Sequence, residues 1–259
     1  MSPTKANAAA VLKTLRRQLR DCADAADAAF LQRYFKTAPG EYGAGDRFLG
    51  VRVPVLRKLS RQYRTLPSTK VQTLLRSRWH EERLLALLIL VEKAKKADEP
   101  KQRALRDLYL QHTHYINNWD LVDLSAQHLL GPFVEADKLA VVRRLAHSAH
   151  WWERRIAIMA TLYCIRQDRF QPTLKIANLL LDDTHPLIHK AVGWMLREVG
   201  NRDRRTAEEF LKPCYRSLPR TLLRYAIEKY PEPLRQRYLQ GKVKNHGNLD
   251  TAVRTRDDS

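Results

Sequence analysis

Apolar residues recur at three- and four-residue steps along the chain, as in Val11, Leu12, Leu15 and Leu19, and again in Leu84, Leu85, Leu88 and Val91. That spacing puts them on one face of an amphipathic helix. No stretch has the two-residue alternation and close turn spacing of a β-sandwich. Breaks fall at Pro39-Gly40, Pro54, Pro67-Ser68, Pro100, Gly131-Pro132, Pro172, Pro186, Pro213, Pro219 and Pro231. They divide the chain into about twelve helices of about 10 to 18 residues joined by short connections. Pro54, Pro132, Pro186 and Pro219 each stand before an apolar-periodic stretch and are expected to mark helix starts, where a missing N–H costs little. Ser68 and Asp203 are expected as N-caps.

Helix pairs recur at roughly 35 to 45 residues, the range of HEAT and armadillo repeats. The expected fold class is therefore all-α, a superhelical solenoid of HEAT-like helical repeats with one long concave face suited to a rod-shaped ligand; a compact helical bundle is the alternative. Residues 1–240 are expected to form a single repeat domain. Residues 241–259 carry little apolar content and are expected to form a disordered basic tail.

Charge adds a partner to this picture. Lys and Arg number 47 against 28 Asp and Glu, a formal net charge of +19, which attracts a polyanion such as nucleic acid, so the concave face is expected to be a basic, DNA-binding one. Cys22, Cys164 and Cys214 lie far apart and form no CxxC pair, so neither a disulfide framework nor a zinc site is expected. Cys164 is expected in the core. His112, His114, His147, His150, His185 and His189 lack metal-ligand spacing, and solvated or capping roles are expected for them, with no metal and no cofactor. The N-terminus has no signal-peptide core, and no run approaches the roughly 18 apolar residues of a membrane span. A cytoplasmic protein without membrane contact is expected.

Three segments carry candidate chemistry. In Asn117-Asn118-Trp119-Asp120-Leu121-Val122-Asp123, Asn118 is placed to cap a helix, Asp120 suits its positive end, and Trp119 and Asp123, four apart, share a face. His150-Trp151-Trp152-Glu153-Arg154-Arg155 opens another helix, where Arg155 offers a planar fork for phosphate and Trp152 either supports it or packs in the core. In His189-Lys190-Ala191-Val192-Gly193-Trp194-Met195-Leu196-Arg197-Glu198, Trp194 shares a face with Lys190 and Arg197, and Gly193 permits close approach of a neighbouring helix or a DNA strand. Each segment alone also fits ordinary helix packing with solvated charges.

Taken together, the three segments resemble the AlkD-type DNA alkylation repair glycosylases, which are built from HEAT-like repeats, from about Tyr34 to Tyr230. The resemblance implies that Trp119, Asp123 and Trp194 are catalytic and that Arg155 lies on the DNA-binding face; Trp152, Lys190 and Arg197, which share their helices, are the further candidates for DNA binding. Gly50-Val51-Arg52-Val53-Pro54 resembles the family's G-[IV]-x-x-P element, implying that Arg52 and Val53 lie near the duplex, at positions where some relatives carry polar residues. The activity implied is hydrolysis of the N-glycosidic bond of positively charged alkylated purines in double-stranded DNA, N3-methyladenine and N7-methylguanine, with the lesion left stacked. Without a lysine-nucleophile motif the enzyme is expected to be monofunctional, without a deep base pocket bulkier N3 or N7 adducts are expected to fit, and a solenoid that clasps duplex DNA is expected to be a monomer. The rival readings are a catalytically inactive DNA-binding paralogue, and a HEAT-type adaptor for an acidic protein.

Overall fold

A computed structural model describes residues 3–243, with side chains from residue 7 onward. The described residues hold sixteen α-helical segments and two 3-10 turns. No strand occurs among them, only one isolated bridge between Arg47 and Trp79. The chain is thus all-α, with helices packed in the repeat-like manner of an α-solenoid. No helix among the described residues is long and apolar enough to cross a membrane. The described residues fall into two compact units that divide between Leu179 and Leu180.

The N-terminal unit is organised around two buried helices. In His80–Ala94 every side chain from His80 to Val91 is buried, as expected for a helix that is apolar nearly all round. Helices Val53–Gln62, Ser68–Leu75 and Glu99–Leu110 surround it. The second, Trp151–Ala160, buries Arg155 through Ala160 and packs against Ala140–Ala146 and Gln171–Leu179. The five-residue helix Trp119–Asp123 touches both buried helices. Each fully buried Leu, Ile or Val around them stabilises the unit by about 1.5–3 kcal/mol.

The helices outnumber the expected twelve because some breaks carry no Pro or Gly. Ser125 Oγ donates to the Leu121 carbonyl, and Thr161 Oγ1 to that of Ile158. Such back-bonding hydroxyls offer the backbone an alternative to the continuous ladder. Pro132 lies in the 3-10 turn Gly131–Phe133 rather than opening an α-helix. Asp203 caps Arg204–Leu211 through the Thr206 N–H, whereas Ser68 is itself the first helical residue and Pro67 holds the cap position without a side-chain bond. Cys164 is buried.

The C-terminal unit is built on Pro186–Arg202, which packs against Arg204–Leu211 and Arg220–Ala226. The element after it, Glu232–Leu239, is followed by a packed segment: Val243 is buried, donates its N–H to Tyr215 Oη and accepts the Tyr215 hydroxyl at its carbonyl. The rest of the expected tail, residues 244–259, lies outside the described residues.

Gly193 has a packing role. A Cβ there would lie 2.5 Å from the Leu222 carbonyl oxygen and 2.6 Å from Tyr225 Cβ, so the close neighbour is a helix. Replacing Gly by Ala gains up to about 1 kcal/mol of helix propensity, but overpacking costs typically about 1–3 kcal/mol. Gly193→Ala is therefore expected to lower the urea midpoint, despite the better helix former.

Candidate functional site

The helix Trp119–Asp123 carries two of the candidate residues and starts where the sequence places it. Asn118, extended at φ −148°, accepts the Trp119 N–H on its side-chain oxygen at 2.9 Å. The other end of that amide donates to Asp46 Oδ2 at 3.1 Å. Asn118 is fully buried, so its position is fixed by these two bonds rather than by solvent.

Asp46 belongs to a buried charge chain. His80 Nδ1 donates to Asp46 Oδ2 at 3.0 Å and His80 Nε2 to Asp120 Oδ2 at 2.8 Å, while Arg83 pairs with the other Asp46 oxygen. Burial opposes the charge on His80, but the two carboxylates outweigh it and raise the imidazole to about 9. Burial likewise opposes ionisation of Asp46, yet His80 and Arg83 bring its carboxyl down to about 2. A doubly donating imidazolium thus ties the loop at Asp46 to the first turn of the Trp119–Asp123 helix. Beside it, buried Glu81 accepts the N–H groups of Leu49, Gly50 and Val51 at 2.9, 2.9 and 3.2 Å. This bond set shapes the turn before Arg52; Gly50 adopts φ +84°, and a Cβ there would meet the Asp24 carbonyl oxygen at 2.0 Å.

At the far end of the short helix, Asp123 faces Arg155. The guanidinium grips the carboxylate in two bonds, Nε to Oδ1 at 2.9 Å and Nη2 to Oδ2 at 2.8 Å, with side-chain exposures of 10% for Asp123 and 6% for Arg155. Burial pushes the Asp123 carboxyl up from its ordinary range, Arg155 pulls it back, and the net direction is upward. The result is a desolvated carboxylate locked in one orientation. Trp119 is half-buried, stacked on Phe35 with ring centres 5.1 Å apart, and meets the edge of Tyr34 at 6.0 Å. Tyr34 is 54% exposed and stacks on Phe30, also 54% exposed. An oriented anion and an aromatic wall on one short helix suit a cationic or electron-poor group.

The remaining candidates are placed as follows. Trp152 is 3% exposed and packs beside Trp151 and Tyr42, so it supports the helix carrying Arg155 and presents no face to DNA, a correction to its expected contact role. Arg155 is likewise buried and holds Asp123 rather than standing open to a phosphate. Arg52 is exposed and forms two 2.6 Å bonds to Asp27, next to Val53, the first residue of its helix. In the C-terminal unit, Trp194 Nε1 donates to Glu198 at 2.9 Å, Arg197 pairs with Glu198 and Glu228, and Lys190 is exposed. Among the described residues no group of three or more His, Cys, Asp or Glu side chains is arranged to hold a metal ion.

Sequence reasoning missed the second layer: Asp46, His80, Arg83, Phe35 and Tyr34. His80 opens a run that reads as plain core, and its carboxylate partners lie 34 and 40 residues away. Only the concentration of charge in His80-Glu81-Glu82-Arg83 at the head of an apolar helix hinted at it.

Residues 15–230 match the model of the DNA alkylation repair enzyme family. No curated protein matches the chain. A solved structure described as a predicted DNA alkylation repair enzyme from Enterococcus faecalis is similar in fold, with a TM-score of 0.62 and 19% identity, over 81% of this chain and 97% of that one.

The charge chain makes a stability prediction. His80 is raised from 6.5 to about 9 by folding, so its contribution is full below 6.5 and is lost as pH rises through about 9. Asp46 falls from 3.8 to about 2, so its contribution is present above 3.8 and is lost as pH falls toward 2. His80→Gln is expected to destabilise the protein most between 3.8 and 6.5, with the wild-type advantage in denaturant midpoint shrinking toward pH 9. An advantage that grows with pH would contradict an imidazolium at this position.

Proposed function

From the premise that this chain belongs to the DNA alkylation repair enzyme family, we propose that it is a monofunctional glycosylase that hydrolyses the N-glycosidic bond of cationic alkylated purines in duplex DNA. The observation that carries this reading is the buried Asp123 carboxylate, held in two bonds by Arg155 on the short helix that also presents Trp119.

The substrate determines how little chemistry is needed. N3-methyladenine and N7-methylguanine carry positive charge on the base, so the purine departs neutral and needs no proton from the enzyme. Positive charge then grows on the deoxyribose. Asp123 stabilises that oxocarbenium character, and in its ionised form orients or deprotonates the water that attacks C1′. The electron-rich face of Trp119 adds cation–π attraction. Arg155 acts as a positioning residue, keeping the carboxylate ionised and aimed. Trp194 is assigned a sugar-facing role on the resemblance of its segment, and Arg52, Val53, Lys190 and Arg197 a role along the DNA backbone. In this reading the lesion stays stacked, so bulky N3 or N7 adducts are accepted; slow excision of every bulky adduct alongside fast release of methylpurines would count against it.

The test is release of both methylated purines from methylated duplex DNA, with chelator present. Asp123→Asn is expected to slow single-turnover excision by about 100- to 10,000-fold while duplex affinity stays within a few-fold. No release by the wild type despite tight binding would leave an inactive DNA-binding scaffold as the better reading. Because the active form is the carboxylate and burial raises its pKa above 3.8, wild-type excision, corrected for spontaneous depurination, is expected to fall as pH drops through a limb above that value. The limb should vanish in Asp123→Asn.

A further inference from the structure

A polar cavity lies within the C-terminal unit. Its volume is about 340 Å³, and its lining includes Arg197, Asn201, Arg204, Lys229 and Tyr230. The lining holds three cations and no carboxylate. The acids that pair with these cations, Glu198, Glu228 and Glu208, approach from outside it.

Two donors in the lining have no use in the fold. Tyr230 is 7% exposed, and its hydroxyl has no hydrogen-bond partner among the described residues. Arg197 spends its Nη1 and Nη2 groups on Glu228 and Glu198, while its buried Nε has no partner among the described residues. Leaving a buried donor unmade costs about 1–3 kcal/mol, so two at one cavity mark a place built for an acceptor. Burial pushes the Tyr230 hydroxyl up, so it stays protonated and donates. Lys229 lines the same cavity with an exposed side chain, which brings its charge to the same acceptor.

We propose that this cavity binds a phosphate group, its oxygens received by Tyr230 Oη, Arg197 Nε, Lys229 and Arg204. Guanidinium forks match phosphate oxygens in geometry as well as charge, and an acceptor with several oxygens uses all four donors at once. The group comes either from a DNA backbone or from a free phosphate compound. The site needs none of the glycosidic chemistry above; only its DNA-backbone source rests on the duplex binding proposed there, in which Arg197 takes part.

Calorimetric titration of the full chain with inorganic phosphate, at constant ionic strength set with chloride, tests it. Saturable binding at one site is expected. Tyr230→Phe, which removes one neutral hydrogen bond, should weaken it by about 3- to 10-fold, and Arg204→Gln with Lys229→Gln should abolish it. Lys229→Gln alone, at an exposed side chain, should weaken it with no change in thermal midpoint. Duplex affinity that drops with saturating phosphate in the wild type, and not in the double variant, would identify the DNA backbone as the source. Equal duplex affinity in both proteins would identify a free phosphate compound. Uptake that does not saturate, or that is unchanged in Tyr230→Phe and in the double variant, would overturn the site.

Discussion

The two-bond grip of Arg155 on Asp123 is the interaction on which the N-terminal unit is organised. A carboxylate removed from water this far is tolerated only with a partner in good geometry; deleting one member of such a pair costs about 3–5 kcal/mol. The two side chains come from different helices, 32 residues apart. The pair therefore forms only if the helix Trp119–Asp123 and the buried helix Trp151–Ala160 are held in register. Hydrophobic burial alone would tolerate some sliding; a bidentate bond does not.

The second buried charge system fixes the other end of the same short helix. Five residues are too few to hold a helix by propensity, and this one is pinned at its start by Asn118 and by Asp120 on His80. His80 and Arg83 lie on the most deeply buried helix of the unit, so the cap inherits the rigidity of the core. Trp152, below solvent, backs the helix that delivers Arg155. A helix pinned at both ends presents Trp119 and Asp123 with little freedom, as the role proposed for them at a developing charge requires.

Much of this was legible in the sequence, and the reason for the rest is physical. Helical period, the cap at Asn118 and the shared face of Trp119 and Asp123 are local properties, set within four residues. The three composite segments also carried the family resemblance. The partner of Arg155 was not legible, because a guanidinium fits phosphate and carboxylate alike and only the fold decides which it meets. Trp152 could equally support or contact, and burial decided it. His80, Asp46 and Arg83 were hidden for the same reason, since their bonds span 34 to 40 residues. Breaks made by Ser125 and Thr161 hydroxyls escaped notice, whereas Pro and Gly breaks did not.

The proposed role of Asp123 depends on the orientation that Arg155 gives it. A double-mutant cycle in single-turnover excision, with Asp123→Asn, Arg155→Lys and the pair, separates orientation from phosphate binding. Arg155→Lys, which keeps the charge and loses the fork, is expected to slow excision in the wild-type background and to change little once Asp123 is Asn, so that the two losses do not add. Additive losses, with the Arg155→Lys effect confined to duplex affinity, would rule out that dependence and return Arg155 to the role of a phosphate anchor.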